Sequence, residues 1–187
     1  MKKIQVRDKI FTETIPEAEI QQRVKALASQ ISRDLRHTKP VFLAVLNGSF
    51  VFAADLLRGV NIPCEIAFVR LSSYRGTSST GAVKTILGLD ISLRGRTVVV
   101  VEDIIDSGLT MQELLHTLAA QEPAEVRVAA LLVKPENLRV PLDIRYRCFD
   151  IPNDFIVGYG LDYDGEGRNL PCICTVMEEE NPRQKQP

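Results

Sequence analysis

The segment from Thr97 to Thr110, Thr-Val-Val-Val-Val-Glu-Asp-Ile-Ile-Asp-Ser-Gly-Leu-Thr, constrains the fold of this chain more than any other. Its four consecutive valines predict a strand buried on both faces, since β-branched side chains suit a pleated surface and leave no polar side. Glu102, Asp103 and Asp106 follow within five residues, and Met111, Leu114, Leu115 and Leu118 then recur at helical spacing. The pattern is strand, acidic small-residue loop, helix. No Lys or Arg stands between Arg96 and Arg127, so nothing nearby in sequence neutralises these acids. Carboxylates crowded at the end of a buried strand repel one another unless a cation, a donor-rich ligand or water meets them.

The rest of the chain places that segment in an α/β fold. A short strand is expected around Ile4, Val6 and Ile10, then a helix from Pro16, as its first residue, to about Arg36, with Ile20, Val24, Leu27, Ile31 and Leu35 on its apolar face. Val41–Leu46 reads as a buried strand turned by Asn47-Gly48-Ser49 into a helix, with Ser49 as its N-cap. Ile62–Leu71, Val83–Leu89, Val126–Val133, Ile144–Phe149, Asp154–Gly160 and Cys172–Met177 read as further strands, and the helix after Thr110 runs to about Gln121. Strands alternating with helices predict a mostly parallel central sheet flanked by helices, with ligands beyond the carboxyl ends of the strands. Asn47–Ser49, Ser73–Gly81, Glu102–Thr110, Lys134 and Asp162–Arg168 all fall there.

With 187 residues, one domain over 1–180 and a solvated tail at 181–187 are expected. A net charge of −1 gives no electrostatic footprint for nucleic acid, no apolar run reaches membrane-spanning length, and the opening residues lack a signal-peptide core. Cys64, Cys148, Cys172 and Cys174 form no Cys-x-x-Cys pair, which fits a reducing, cytoplasmic setting; Cys172 and Cys174 are expected at alternate positions of a terminal strand.

The chemistry starts at Asp106–Thr110. A small-residue loop opening a helix offers backbone N–H groups and the positive end of the dipole to a phosphate, while Ser107 capping the helix is the plainer use of the same residues. No G-x-x-x-x-G-K-[ST] is present, and Gly158-x-Gly160 does not continue as a dinucleotide fingerprint. Adjacent on an extended chain, Glu102 and Asp103 point to opposite faces, so joint chelation of one ion requires a twist there. Hard carboxylate oxygens suit Mg²⁺ or a sugar diol. Lys134, with three donors and no acceptor, could meet an acceptor group of a ligand or simply snorkel at a strand end. Phe155 could stack on a base or belong to the core.

Val-Val-Glu-Asp-Ile-Ile-Asp-Ser-Gly-x-Thr closely resembles the phosphoribosyl pyrophosphate signature of type I phosphoribosyltransferases, in the form of the hypoxanthine–guanine branch. Leu46–Phe50 resembles the pyrophosphate loop, Ser73-Tyr74 with Ser79–Gly81 the mobile lid, and Lys134-Pro135 with Asp154–Tyr163 the purine-binding segments. Arg168-Asn169-Leu170-Pro171 follows in the family's order. The resemblance implies a small hood from the N- and C-terminal segments, a homodimer or homotetramer, and purine salvage. In that reaction a 6-oxopurine and phosphoribosyl pyrophosphate give a nucleoside monophosphate and pyrophosphate with Mg²⁺. It assigns Asp106 as base at purine N7, and Glu102 and Asp103 to ribose and metal. Ser107, Gly108, Leu109 and Thr110 take the 5′-phosphate, and Asn47, Gly48 and Arg168 the pyrophosphate. Ser73 and Tyr74 form the lid, Lys134, Phe155, Ile156 and Asp162 meet the purine, and Asp162 serves a second metal position.

Asn47 stands where many relatives carry a basic residue, Leu109 where a Lys is sometimes found, and 164–167 is richer in glycine than the pattern. Two other functions use the same motifs: a non-catalytic phosphoribosyl pyrophosphate sensor acting on nucleic acid, and a transferase for adenine or a pyrimidine. The charge and the absence of a basic patch oppose the first; Lys134 and Asp154–Asp162 oppose the second.

Overall fold

The computed structural model describes residues 3–73, 83–87 and 91–177. In chain order the elements are β1 (Lys3–Val6), β2 (Lys9–Ile15), α1 (Glu17–Asp34), β3 (Val41–Leu46), α2 (Phe50–Gly59), β4 (Glu65–Ser73), β5 (Val83–Leu87), β6 (Thr97–Ile105), α3 (Leu109–Ala119), β7 (Glu125–Val133), a 3-10 turn (Pro135–Asn137), β8 (Tyr146–Asp150), β9 (Ile156–Val157) and β10 (Ile173–Val176). Six strands form the central sheet in the order β5-β4-β3-β6-β7-β8, parallel throughout except for β5, which pairs antiparallel with β4.

Two apolar layers hold this sheet. On one side Ile20, Val24 and Ile31 of α1 and Phe52, Ala53 and Leu56 of α2 pack on Phe42, Ala44, Val99 and Val101. On the other, Met111, Leu114 and Leu118 of α3 pack on Leu43, Val45, Val98 and Val100. The valine run is therefore covered on both faces, as its composition demands. A second, antiparallel sheet in the order β1-β2-β10-β9 forms the hood, with Val6, Phe11, Val157, Cys172 and Cys174 in its own small core.

Several expectations shift. The N-terminal segment makes two strands joined at Arg7, whose φ is +53°, because β2 is claimed by β1 on one side and by β10 on the other. Pro16 is the N-cap of α1 and not its first helical residue; its extended ψ of 153° lies outside the helix. Ser49 stands at the N-cap of α2, but its hydroxyl donates back to the Val45 carbonyl at 2.6 Å and caps nothing. Only Ile156–Val157 of the apolar run 154–160 is strand, since Gly158, Tyr159 and Gly160 all adopt positive φ and turn the chain. Cys172 and Cys174 do bracket the start of β10, with Sγ atoms 3.4 Å apart, too far for a disulfide. Tyr74, Ser79–Gly81 and the tail 181–187 lie outside the described residues; Ser73 ends β4. Among the described residues, no helix is long and apolar enough to cross a membrane.

Candidate active site

The acidic segment sits where the central sheet divides. From β3 the chain passes through α2 to β4 on one side; from β6 it passes through α3 to β7 on the other. Adjacent strands whose connections leave in opposite directions open a crevice at their carboxyl ends. The ladder between β3 and β6 stops at Ala44–Val101, whereas β6 stays bonded to β7 as far as Ile105–Val133. Glu102 and Asp103 are thus strand residues with one free edge. A cavity of about 300 Å³ opens beside them, bordered by Leu46, Leu71, Asp106, Ser107, Gly108 and Thr110.

The twist required for the two acids to cooperate is present. Val99, Val101 and Ile104 contact one core layer while Val100 and Ile105 contact the other, so strict alternation slips by one residue across Glu102–Asp103. Both carboxylates border the same cavity. Loss of water, together with the adjoining Asp103 charge, pushes the Glu102 carboxyl well above the ordinary glutamate range. Asp103 lies against Gly48, where any side chain would overlap its carboxylate: an added Cβ would stand 1.6 Å from Oδ2. Asp103 Oδ1 accepts the Ile104 N–H at 2.9 Å. The loop carrying Gly48 begins with a cis Leu46–Asn47 peptide and exposes Asn47.

At the far end of β6 the chain enters α3 through Gly108, the N-cap, at φ +80°. Ser107 is not the cap, since its Oγ lies 3.5 Å from the Leu109 N–H, at the limit of a hydrogen bond. The first N–H groups of α3 have no partner within the helix, and its first turn holds no acid, so the loop is electropositive towards the cavity. Leu109 and Thr110 are exposed at this turn.

A second cavity, about 280 Å³, adjoins the first across Asp103, Ile104 and Asp106 and is completed by Lys134, Asp154, Phe155, Ile156, Leu161 and Asp162. Lys134 is buried, with its ammonium 3.4 Å from Asp106 Oδ2 and 3.3 Å from Asn153 Oδ1. Asn137 donates its amide N–H to Asp106 Oδ1. Phe155 is 44% exposed, which favours a stacking surface over a core residue. Its ring stands edge-on to Tyr163 with centroids 5.5 Å apart, and Phe11 lies 6.1 Å away. Asp162 Oδ1 pairs with Arg168 at 2.5 Å, and its Oδ2 accepts the Gly165 N–H at 2.7 Å. Arg168 also donates to the Gly160 carbonyl at 2.7 Å.

The structure therefore brings Glu102, Asp103, Asp106, Ser107, Gly108 and Thr110 round one cavity and Lys134, Phe155, Ile156 and Asp162 round its neighbour. Arg168 reaches this second group through Asp162, and Gly48 reaches the first through Asp103. Sequence reasoning missed Asn137 and Asn153, the two residues that fix Asp106 and Lys134. The signal for Asn137 is Pro135 directly after Lys134, which opens a 3-10 turn and brings the chain back within three residues.

Comparisons with known proteins agree with this geometry. The family model described as the phosphoribosyl transferase domain matches residues 14–164. A hypoxanthine-guanine phosphoribosyltransferase of Dictyostelium discoideum is 40% identical over 178 residues, covering 92% of this chain and 97% of that protein. The crystal structure of a Bacillus anthracis hypoxanthine-guanine phosphoribosyltransferase superposes with a TM-score of 0.85 at 44% identity, over 91% of this chain and 99% of that one. A Trypanosoma cruzi hypoxanthine phosphoribosyl transferase, studied for the role of its C-terminal region in oligomeric state and activity, gives 0.85 at 36% identity over 93% and 95%. The strand-end acids, the small-residue loop that opens α3 and the hood thus have one common explanation: this chain belongs to the phosphoribosyl transferase domain family, in its hypoxanthine-guanine branch.

Proposed function

We propose that this chain is a purine-salvage enzyme that transfers the 5-phosphoribosyl group from phosphoribosyl pyrophosphate to hypoxanthine or guanine, giving IMP or GMP and pyrophosphate. One observation supports the reading: Asp106, held by Lys134 and Asn137, borders both the cavity with Phe155, Ile156 and Asp162 and the cavity with Ser107, Gly108 and Thr110. Lys134 uses two of its three donors on Asp106 and Asn153, leaving the third for a 6-oxo group. A 6-amino group there would set donor against donor.

The residues divide the reaction between them. Phe155 stacks on the purine, and Ile156 borders the ring. Asp106, oriented by Asn137, accepts the proton at purine N7 as the new glycosidic bond forms. Ser107, Gly108, Leu109 and Thr110 hold the 5′-phosphate at the start of α3. The Asn47–Gly48 backbone and Arg168 hold pyrophosphate as it leaves.

The acids also fit Mg²⁺. Glu102 and Asp103 are an all-oxygen pair bordering one cavity, with the Glu102 charge penalised by burial and then by its neighbour, and Mg²⁺ is commonly held by one or two carboxylates plus substrate oxygens. Among the described residues no cluster of three or more ligating side chains stands together, and water and substrate oxygens would fill the remaining positions. Asp162 serves a second position once Arg168 turns from it to pyrophosphate. When bound, Mg²⁺ neutralises charge developing on pyrophosphate. A homodimer or homotetramer in the cytoplasm belongs to the same reading. The thiols of Cys64, Cys148 and Cys172 fit that reducing compartment.

Incubation with phosphoribosyl pyrophosphate, Mg²⁺ and each purine in turn tests the proposal. IMP and GMP should form and AMP should not; no nucleotide from either 6-oxopurine would refute it.

A further inference from the structure

The turn from Gly158 to Leu161 joins the hood to the body of the molecule. Gly158 and Leu161 exchange N–H···O bonds of 3.0 Å, with Tyr159 (φ +48°) and Gly160 (φ +106°) between them. Positive φ is uncommon for a bulky residue and persists where the surroundings hold it. Tyr159 is held. Its ring is 2% exposed, and its phenol donates to Asp55 Oδ2 of α2 at 2.6 Å. Gln21 of α1 donates to the same oxygen at 2.7 Å, and Arg58 lies 3.9 Å from the other. Burial, reinforced by the Asp55 contact, raises the Tyr159 pKa, so the phenol keeps the proton it donates.

One residue further on, the same turn meets the loop that precedes α2. Gly160 packs so closely on the Gly48 carbonyl that an added Cβ would come within 2.0 Å of it. Gly160 also donates its N–H to the Arg168 carbonyl at 3.0 Å and accepts from the Arg168 guanidinium. The turn is therefore fastened at two points, Tyr159 to the body of α2 and Gly160 to the loop at its start. Arg168 hangs from that turn. Neither Tyr159 nor Asp55 lines either cavity of the site.

We propose that Tyr159 and Asp55 are positioning residues for phosphoribosyl pyrophosphate: their hydrogen bond sets the spacing between the Gly48 loop and Arg168, the two arms that hold its pyrophosphate. The inference rests on the transferase reading above. It assigns the pair no contact with substrate and no part in selecting the base.

Steady-state kinetics with each substrate varied separately tests it. A misplacement of about an ångström at a binding group is enough for a large loss, so Tyr159→Phe should raise the KM for phosphoribosyl pyrophosphate about tenfold. The KM for hypoxanthine should change less than about twofold. Asp55→Ala should behave like Tyr159→Phe, and Asp55→Asn, which keeps an acceptor oxygen for the phenol, should restore the KM. An unchanged KM for phosphoribosyl pyrophosphate in Tyr159→Phe, or equal rises for both substrates, would overturn the proposal. If the unsubstituted enzyme forms no nucleotide, the transferase reading fails instead. Calorimetric titration of Mg²⁺–pyrophosphate then judges the pair: weaker binding by Tyr159→Phe supports it and equal binding overturns it.

Discussion

The two ends of the central parallel strands treat their acids in opposite ways. At the entry end Glu65, the first residue of β4, is met by Lys39 at 3.0 Å and Arg96 at 3.1 Å, and the Lys39 contact leads in lowering its pKa. Nearby on the same edge, Arg127 joins Glu125 at 2.7 Å and donates to the buried Tyr146 phenol at 2.6 Å. At the exit end Glu102 has Asp103 as its charged neighbour, and its pKa moves the other way. One end satisfies its charges from within the chain. At the other the chain supplies Lys134 to Asp106 and Arg168 to Asp162 but, among the described residues, no cation to Glu102 or Asp103.

The contrast can be broken most sharply at Asp106. Asp106→Asn should lower turnover by about three orders of magnitude, the range of general acid–base catalysis, while phosphoribosyl pyrophosphate still binds. Undiminished turnover would remove Asp106 as the base. Next in size, Lys134→Met should lower kcat/KM for hypoxanthine by about a hundredfold, the scale of a lost charge-assisted hydrogen bond, with a smaller effect on phosphoribosyl pyrophosphate. Parallel losses for both substrates would mean that Lys134 supports the site as a whole and does not read the base.

Two stability measurements sharpen the comparison itself. Glu102→Gln removes a group whose ionisation the fold penalises, so without Mg²⁺ and substrate it should raise Tm by about 3 °C at neutral pH. Glu65→Gln removes a satisfied surface charge and should lower Tm slightly, less so in high salt. The pH trends are opposite in sign. The folded-state pKa of Glu65 is depressed, so its stabilisation is present above the ordinary glutamate range and fades as pH falls through the folded value. That of Glu102 is raised, so its penalty is full above the folded value and vanishes on acidification. Both differences from the unsubstituted protein should therefore shrink towards low pH, one from below and one from above. Equal signs at neutral pH would erase the distinction between the two ends.

Much of this arrangement is legible along the chain because its signals are local. The valines of β6, the spacing of Met111, Leu114 and Leu118, and the small-residue loop between them each dictate structure within a few residues. β2 was not legible. Ile10 is 48% exposed and Phe11 fully buried, so the strand shows no clean apolar face, and its pairing partner β10 lies about 160 residues away. The strand expected over 154–160 fails for a related reason: apolar content alone does not reveal that three successive residues turn the chain. In the site, the acids, Lys134 and the small-residue loop are visible in the sequence because each is marked by its own residue type. The neighbours that hold them, Asn137, Asn153 and Gly48 against Asp103, depend on how separate loops meet.

On the proposed reading Glu102 and Asp103, which no cation of the described residues meets, are left for a metal-bearing substrate. Calorimetric titration of phosphoribosyl pyrophosphate, with and without Mg²⁺, into the unsubstituted protein and Asp103→Asn tests it directly. Binding should need Mg²⁺ in the first and be weakened at least about tenfold in the second. Equal binding without the metal, or by the variant, would contradict it.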